Sequence, residues 1–490
     1  MCFRGVSFPR QPCMFPRPSF PPTLFSLAIV ALLALPAMDA TAEKIIGKIP
    51  EKATVTGGTL TLEQAYDRAL ATDQTIRIAY WEIRKANLLP WSALAKLGPQ
   101  VTASGSYNRH DHATRTTVVQ TDSALINGVS TPIGSSTFDR TTHARGGVGE
   151  AGITYTQPLI DFTVFPAYRF GTLSKVSTRY QHQFTIRETL FGVASAFYEV
   201  LKQQRLAEVD RETLRLTNQQ LDLAQKRANV GEVTRADVLR ATVTVEQARQ
   251  TLVQDEGVLD IDRNTLANIL NFAPDTPFTV VEPPDYPSVL PVFTDLLSRA
   301  YAHREDLKVA DIAVDQDVAR RGEVIGTYGP KVVAQVDGNR AHSSGSSTNS
   351  THDWDAVVSV QVPIFTGGQR EVDLLTANRQ IEQTKLERDK TAKTVEVDVK
   401  NAWVTVRTLQ QTLKALHAQV VAAEQGYHDL EIQYRAGTAT SVDVLTALHD
   451  LNDARKDLAV QTYGFQVALR NLEQATGVFQ EARVQRSKIP

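Results

Sequence analysis

The sequence predicts an α+β protein in which one layout, a β-hairpin followed by a very long α-helical hairpin, is built twice. Three observations carry that prediction: an internal repeat, two long gaps without proline, and short stretches of period-two alternation. Around Gly231 the chain reads VGEVTRADVLRATVTVEQAR and around Gly437 AGTATSVDVLTALHDLNDAR, at a constant offset of 206 positions. Upstream, Gly98-Pro99 answers Gly329-Pro330 and Ala69 answers Ala300 at an offset of 231, so 25 extra residues sit between these points in the first copy. Solenoid repeats run to roughly 20 to 50 residues, so this is one larger supersecondary unit duplicated.

The chain opens with Arg4, Arg10 and Arg17 ahead of an apolar run from Leu24 to Leu35, and Ala40-Thr41-Ala42 follows as a small-residue cleavage site. Residues 1–42 therefore read as a signal peptide, with Met14 as an alternative start. The run is shorter than the roughly 20 residues a membrane-spanning helix needs. Cys2 and Cys13 both lie in that segment, so the mature chain is expected to carry no disulfide, no thiol nucleophile and no lipidated cysteine. Two structural repeats follow, residues 43–273 and 292–478, joined by a Pro-rich linker at 274–291 and trailed by a C-terminal tail at 479–490.

Each repeat begins with a shorter helix, Leu60 to about Leu89 behind the capping pattern Thr59-Leu60-Thr61-Leu62-Glu63, and Phe293 to about Ile325. Alternation comes next. Val101, Ala103 and Tyr107 share one face of a strand and Ala151, Ile153 and Tyr155 one face of its partner. In the second copy Val332, Val336 and Gly338 answer Trp354, Ala356, Val358, Val360 and Val362. Polar loops are expected from about Asp111 to Gly146, where the 25 extra residues reside, and from Ala341 to Thr351.

The helical hairpins close each repeat. No proline stands between Pro166 and Pro274 or between Pro363 and Pro490, as long helices require, because an interior proline removes a hydrogen bond and clashes with the preceding turn. Leu190, Val193, Ala194, Phe197, Leu201 and Leu206 recur at threes and fours, which is helical spacing. A helix from Thr163 to Val230 would be about 100 Å long at 1.5 Å per residue. Gly231 breaks it, and a return helix runs from Arg235 to Asn271. The second copy gives Arg370 to Ala436, a break at Gly437, and Val442 to Thr476.

Composition excludes several classes. A formal net charge of −2 argues against a nucleic-acid partner held on a basic surface. Hydrophobic content of 42% with mean hydropathy −0.22 leaves no room for a bundle of membrane helices. There is no Gly-rich phosphate loop after a strand, no His-Glu-x-x-His and no nucleophile with a base at useful spacing, so neither an enzyme nor a cofactor or metal site is expected. An apolar hairpin face in an exported protein meets a soluble core or meets lipid. In lipid the strands must close into a barrel of about eight or more, which four strands cannot do alone, so that reading forces an oligomer. A helical hairpin about 100 Å long likewise needs side-by-side neighbours to bury its apolar stripe.

Gly231-x-x-Thr234-x-x-Asp237-Val238-Leu239 and Gly437-Thr438-x-Thr440-x-x-Asp443-Val444-Leu445 resemble the hairpin tips of TolC-like outer-membrane efflux proteins. Val362-Pro363-Ile364-Phe365-Thr366-Gly367-Gly368 resembles that family's strand-to-helix junction, with Gln157-Pro158-Leu159-Ile160-Asp161 as a weaker first copy. The resemblance covers nearly the whole mature chain. It implies a homotrimer in which a 12-stranded outer-membrane β-barrel continues into a 12-helix periplasmic α-barrel, with outer-membrane lipid around the strands. The implied function is a passive exit duct for efflux or secretion, fed by an inner-membrane pump through a periplasmic adaptor. Asp237 and Asp443 match the pore-narrowing aspartates. Val230, Gly231, Glu232, Thr234, Ala436, Gly437, Thr438 and Thr440 would form the tips that the adaptor grips. Where the best-known pattern has a second acid this chain has Arg240 and Thr446, and where it has an arginine this chain has Ala439, so Arg235, Arg227 or Arg435 is the expected substitute gate partner.

Plainer roles stand beside these. Both aspartates suit a helix N-terminus, where the dipole favours a negative charge. Both glycines suit a tight turn, and His110, His112, His342 and His352 suit outer loops. A periplasmic coiled-coil adaptor or scaffold would also show a long helical hairpin, but it would need only one and would lack the alternating strand pairs.

Overall fold

The computed structural model describes residues 58–486 apart from 127–128, 274–275, 284–289 and 345–348. The expected signal peptide and the last residues of the tail lie outside the described residues. In chain order the first repeat contains β1 (Gly58–Leu60), α1 (Leu62–Thr72), α2 (Gln74–Ala86), α3 (Leu89–Ala95), β2 (Gln100–Ile126), β3 (Val129–Ile160), α4 (Val164–Asn229) and α5 (Arg235–Ile269). β4 (Phe278–Val280) lies inside the stretch read as linker and pairs in parallel with β1. The second repeat contains α6 (Phe293–His303), α7 (Glu305–Gly326), β5 (Lys331–Ser344), β6 (Asn349–Gln361), α8 (Gln369–Arg435) and α9 (Ser441–Ala475), and α10 (Glu481–Arg486) follows.

The long helices start and stop within two residues of where the glycines and proline gaps place them. α4 is 66 residues and α8 is 67, each about 100 Å long, and each returns through a 35-residue helix about half that length. The four run in the spatial order α5, α4, α9, α8, so the second hairpin leans on the first through α4 and α9. Their upper parts carry the core: Ile186, Leu190, Val193 and Phe197 of α4 are fully buried with Tyr66 of α1 and Phe479. A second cluster joins Leu296 and Ala300 of α6 to Val395, Val399 and Val406 of α8 and Leu472 of α9. Each such side chain contributes about 1.5–3 kcal/mol by leaving water.

One ion pair is locked inside this region. Arg187 and Glu305 are both 4% exposed; guanidinium and carboxylate meet at 2.5 Å, and Arg187 also donates to the Phe479 carbonyl at 2.6 Å. It ties α4 of the first repeat to α7 of the second and to the start of the tail.

The two shorter helices depart from expectation. Each was expected to be continuous, and each is split, after Thr72 and after His303. The breaks fall at Asp73 and Arg304, 231 positions apart, and both residues have extended backbone, with ψ of 132° and 124°. Asp73 restarts a helix by accepting the N–H groups of Thr75 and Ile76 at 2.7 and 3.0 Å. Arg304 instead bridges Asp306 at 2.6 Å and Asp398 at 3.1 Å. The duplicated backbone kept the break while the side chains that support it diverged.

The strands form one antiparallel sheet in the order β2-β3-β5-β6. Its register gathers the apolar positions into rows: Val101, Tyr155, Val336 and Ala356 are successive neighbours, as are Ala103, Ile153, Gly338 and Trp354. The opposite face carries Thr102, Thr154, Asp337 and Asp355, then Ser104, Gly152, Asn339 and Asp353. Nothing among the described residues covers the apolar face: Trp354 is 76% exposed and Val360 64%. No helix among the described residues is long and apolar enough to cross a membrane.

Both outer loops are corrected. β2 and β3 stay paired from Gln100↔Thr156 out to Ile126↔Val129, so most of the span from Asp111 to Gly146 is strand. β5 and β6 likewise consume most of Ala341 to Thr351. The alternation signal fails here because neither face of an aqueous ribbon needs to be apolar, while a backbone ladder forms regardless of polarity. Threonine, abundant in this stretch, is itself a strand former. His110, His112, His342 and His352 accordingly lie in strands, not loops.

Candidate functional site

The two helical tips share one backbone device. Gly231 and Gly437 take φ of +81° and +78°, a left-handed conformation that strains any residue with a Cβ. The Glu232 N–H then closes on the Arg227 carbonyl and the Thr438 N–H on the Gln433 carbonyl, each at 2.9 Å, which satisfies carbonyls left over at the helix ends. Thr234 and Thr440 open the return helices as reciprocal caps. Each hydroxyl donates to the carboxylate three residues on at 2.7 Å and accepts that residue's N–H at 3.3 Å. The carboxylates of Asp237 and Asp443 take the threonine N–H groups in return, at 3.0 and 2.9 Å.

Both aspartates thus serve as helix caps, and the threonine hydroxyl and then the threonine N–H hold their carboxyls below the ordinary carboxylate range. Asp237 has Arg240 at 3.4 Å, while no cation pairs with Asp443 among the described residues. Within one chain the carboxyls are stabilised as anions; the crowding that would push some of them upward requires copies around an axis.

The structure separates the three candidate arginines. Arg227 lies between the tips: it pairs with Glu232 at 2.9 Å, donates to the Tyr434 carbonyl at 2.6 Å, and stacks 4.7 Å from the Tyr434 ring centroid. It strengthens the end of α8, where the helix dipole favours a cation. Among the described residues Arg435 pairs along its own helix, with Glu431 at 2.6 Å. Arg235 forms no ion pair among the described residues. Val230, at 71% exposed, and Gly231, Glu232, Thr234, Ala436, Gly437, Thr438 and Thr440 are all solvent-facing, as a docking surface requires.

A second cluster escaped the sequence. About 20 residues above the tip, Lys456 of α9 reaches Asp210 of α4 at 2.6 Å and Asp255 of α5 at 3.2 Å, joining three helices. Burial, reinforced by Asp255, pushes the Asp210 carboxyl up to about 6. Burial acts on Asp255 too, but hydrogen bonds from Asp210 and Lys456 outweigh it and hold it below the usual range. Asp210 and Asp255 lie in the first repeat and Lys456 in the second, and no local spacing links them. The acidic rows of Asp337, Asp355 and Asp353 on the polar face of the sheet were visible only as alternating polar positions.

A sheet with one bare apolar face, carried on two helical hairpins with exposed edges, is the fold shared by solved outer-membrane channels. The chain belongs to the outer membrane efflux protein family, whose model matches residues 65–271 and 296–478, one match in each repeat. Among curated relatives, the outer membrane efflux protein BepC of Brucella suis is 25% identical over 352 residues, covering 67% of this chain and 72% of that protein. Outer membrane protein TolC of Vibrio cholerae is 24% identical, covering 68% and 78%. The crystal structure of the Campylobacter jejuni CmeC outer membrane channel shares the fold with TM-score 0.66 at 14% identity, covering 87% of this chain and 88% of that one. That of VceC from Vibrio cholerae does so with TM-score 0.63 at 18% identity, covering 85% and 96%.

Proposed function

We propose that three copies of this chain close into a continuous duct, a 12-stranded barrel in the outer membrane above a 12-helix periplasmic tunnel, through which cargo passes without chemistry. The observation that carries this reading is that both layers end in free edges in the same order. The sheet runs from β2 to β6 and the helical layer from α5 to α8, so one rotation brings β6 against the next β2 and α8 against the next α5. An open four-stranded sheet would leave unsatisfied backbone groups in lipid, and closure removes them. The helical edges leave apolar side chains to solvent among the described residues: Leu239, Val253 and Ile261 of α5 and Leu386, Val397 and Ile432 of α8 are all more than half exposed. From Val362 to Trp354 the apolar face extends about 26 Å along the strand, matching the roughly 25 Å apolar band of outer-membrane barrels.

In this duct the tips at Gly231 and Gly437 meet a periplasmic adaptor linked to an inner-membrane pump. Asp237 and Asp443 from three copies place six carboxylates around one aperture, which attracts cations and repels anions. Relatives at equal distance are named for antibiotic efflux and for alkaline protease secretion, which fits a duct whose cargo is chosen by the pump. Protein extracted from outer membranes should migrate as a heat-dissociable trimer; a soluble periplasmic monomer would refute the duct. Combining Asp237→Ala with Asp443→Ala should raise single-channel conductance in a planar bilayer and erase cation preference, and unchanged conductance and selectivity would retire the aspartate ring. A cysteine replacing Glu232 should crosslink to the adaptor in periplasmic preparations.

A further inference from the structure

β3 has β5 as its neighbour only as far as Gly147↔Ser344, whereas β2 and β3 remain paired with each other beyond that row. From His110 to Ile126 the pair continues for 17 residues, about 55 Å, as a two-stranded arm. It begins next to Tyr107, which lies so flat over Gly147 that a Cβ there would meet its hydroxyl at 2.3 Å. Tyr107 and Trp354 mark the aromatic end of the apolar face, so the arm stands outside the lipid. Two-stranded ribbons are at best marginally stable in water, and among the described residues no third strand lies beside either edge of this one.

We infer that the arms of three copies pair edge to edge above the barrel mouth and close it with an apolar plug. This rests on the trimeric duct proposed above. In that ring β5 and β6 stop at Ser344 and Asn349, so above them the next structure beside the free edge of β3 is the free edge of the neighbouring copy's β2. The two edges run antiparallel, so an antiparallel ladder can join them. Closing three arms this way makes a ring of six strands, narrower than the eight-stranded barrel whose interior is already filled by side chains. What fills this one follows from the register. β2 and β3 show no register shift until Asp122, so the face that carries Thr102 and Thr154 below is the same face that carries Val118 and Phe138 above. Those two are direct cross-strand partners. Three such pairs converge on the axis, while Thr117, Val119 and Thr121 face outward. Phe138 is 47% exposed in the single chain, an apolar side chain on a ribbon otherwise lined here by Thr116, Gln120, Asp122, Ser136 and Arg140.

Single cysteines test the arrangement in the full-length trimer, with Cys2 and Cys13 replaced by alanine. Phe138→Cys should give disulfide-linked dimers under mild oxidation and be shielded from a bulky charged thiol reagent. Val119→Cys should give none and react freely. In planar bilayers, combining Val118→Ala with Phe138→Ala should raise conductance severalfold, as should removing residues 112–144. Absent crosslinking at 138, or equal crosslinking at 119, in protein that still migrates as a heat-dissociable trimer would overturn the plug and leave the duct standing. Unaltered conductance in both variants would also overturn it. Loss of the trimer in the unmodified protein would overturn the duct itself.

Discussion

α4 and α8 occupy the same place in the two repeats, yet they face their neighbours with different chemistry. Where the first hairpin meets the second the seam is filled: Asp210 binds Lys456, Leu216 and Leu223 of α4 pack with Tyr427 and Tyr434 of α8 and Val444, Leu448 and Leu451 of α9, and Arg227 reaches the Tyr434 carbonyl. At the offset of 206, α8 carries Leu416, Ala422, Asp429 and Gln433 in those positions, and α5 carries Thr242 and Gln250 where α9 carries Leu448 and Lys456. Asp429 and Gln433 are exposed in the single chain. Duplication copied the backbone and not the seam. In the proposed trimer the seam inside a protomer is therefore apolar and strapped, whereas the seam between protomers near the tips is smaller and more polar, so a protomer's two hairpins move together more readily than neighbouring protomers do.

The largest expected effect is at Lys456. Lys456→Met leaves Asp210 and Asp255 side by side without their cation, and breaking a buried pair in this way costs about 3 kcal/mol. Thermal dissociation of the trimer should fall by many degrees, while Gln250→Met, at the matching position of α5, should leave it unchanged. Equal effects would erase the distinction between the seams. Next is the pH response. Asp210 has a folded pKa of about 6, above its ordinary value, so the stability it contributes is fully present below about pH 4 and is lost as pH rises through about 6. The trimer should be about 1 kcal/mol more stable at pH 5 than at pH 7.5 from this group, and Asp210→Asn should flatten that slope in a melting series.

Arg227→Ala should cost about 1–2 kcal/mol at the tip and speed amide hydrogen exchange in residues 432–438, because a charged donor leaves the Tyr434 carbonyl. Gln433→Arg should act in the opposite sense, raising the dissociation temperature by supplying the missing strap between copies. The smallest effects belong to features the copies share. Thr234→Ala and Thr440→Ala should each cost about 1 kcal/mol through loss of the cap, and to similar extents, as judged by local hydrogen exchange. A large inequality between them would mean that one tip's cap carries more than the helix.

The resemblance of the tips was legible from Gly, Thr and Asp at fixed spacing because a helix stop and a reciprocal cap are completed within about six residues. The loops were misread because polar strands leave no alternation to read, and the register extending to Ile126 depends on a partner strand. The division among Arg227, Arg235 and Arg435 was equally invisible, since all three are arginines close to a glycine turn.

What the sequence by itself determined is everything held by neighbours along the chain: where the long helices start and stop, the left-handed turns at Gly231 and Gly437, the caps at Thr234 and Thr440, and the alternating faces of the inner strands. Tertiary structure alone decided that Arg227 would reach Tyr434, that Lys456 would gather Asp210 and Asp255, and that β2 and β3 would outrun β5 and β6. The reason is range. A cap or turn is stabilised by groups a few residues away whose geometry the backbone fixes, whereas contacts spanning some 200 positions exist only once the helices have been packed side by side and the strands brought into register.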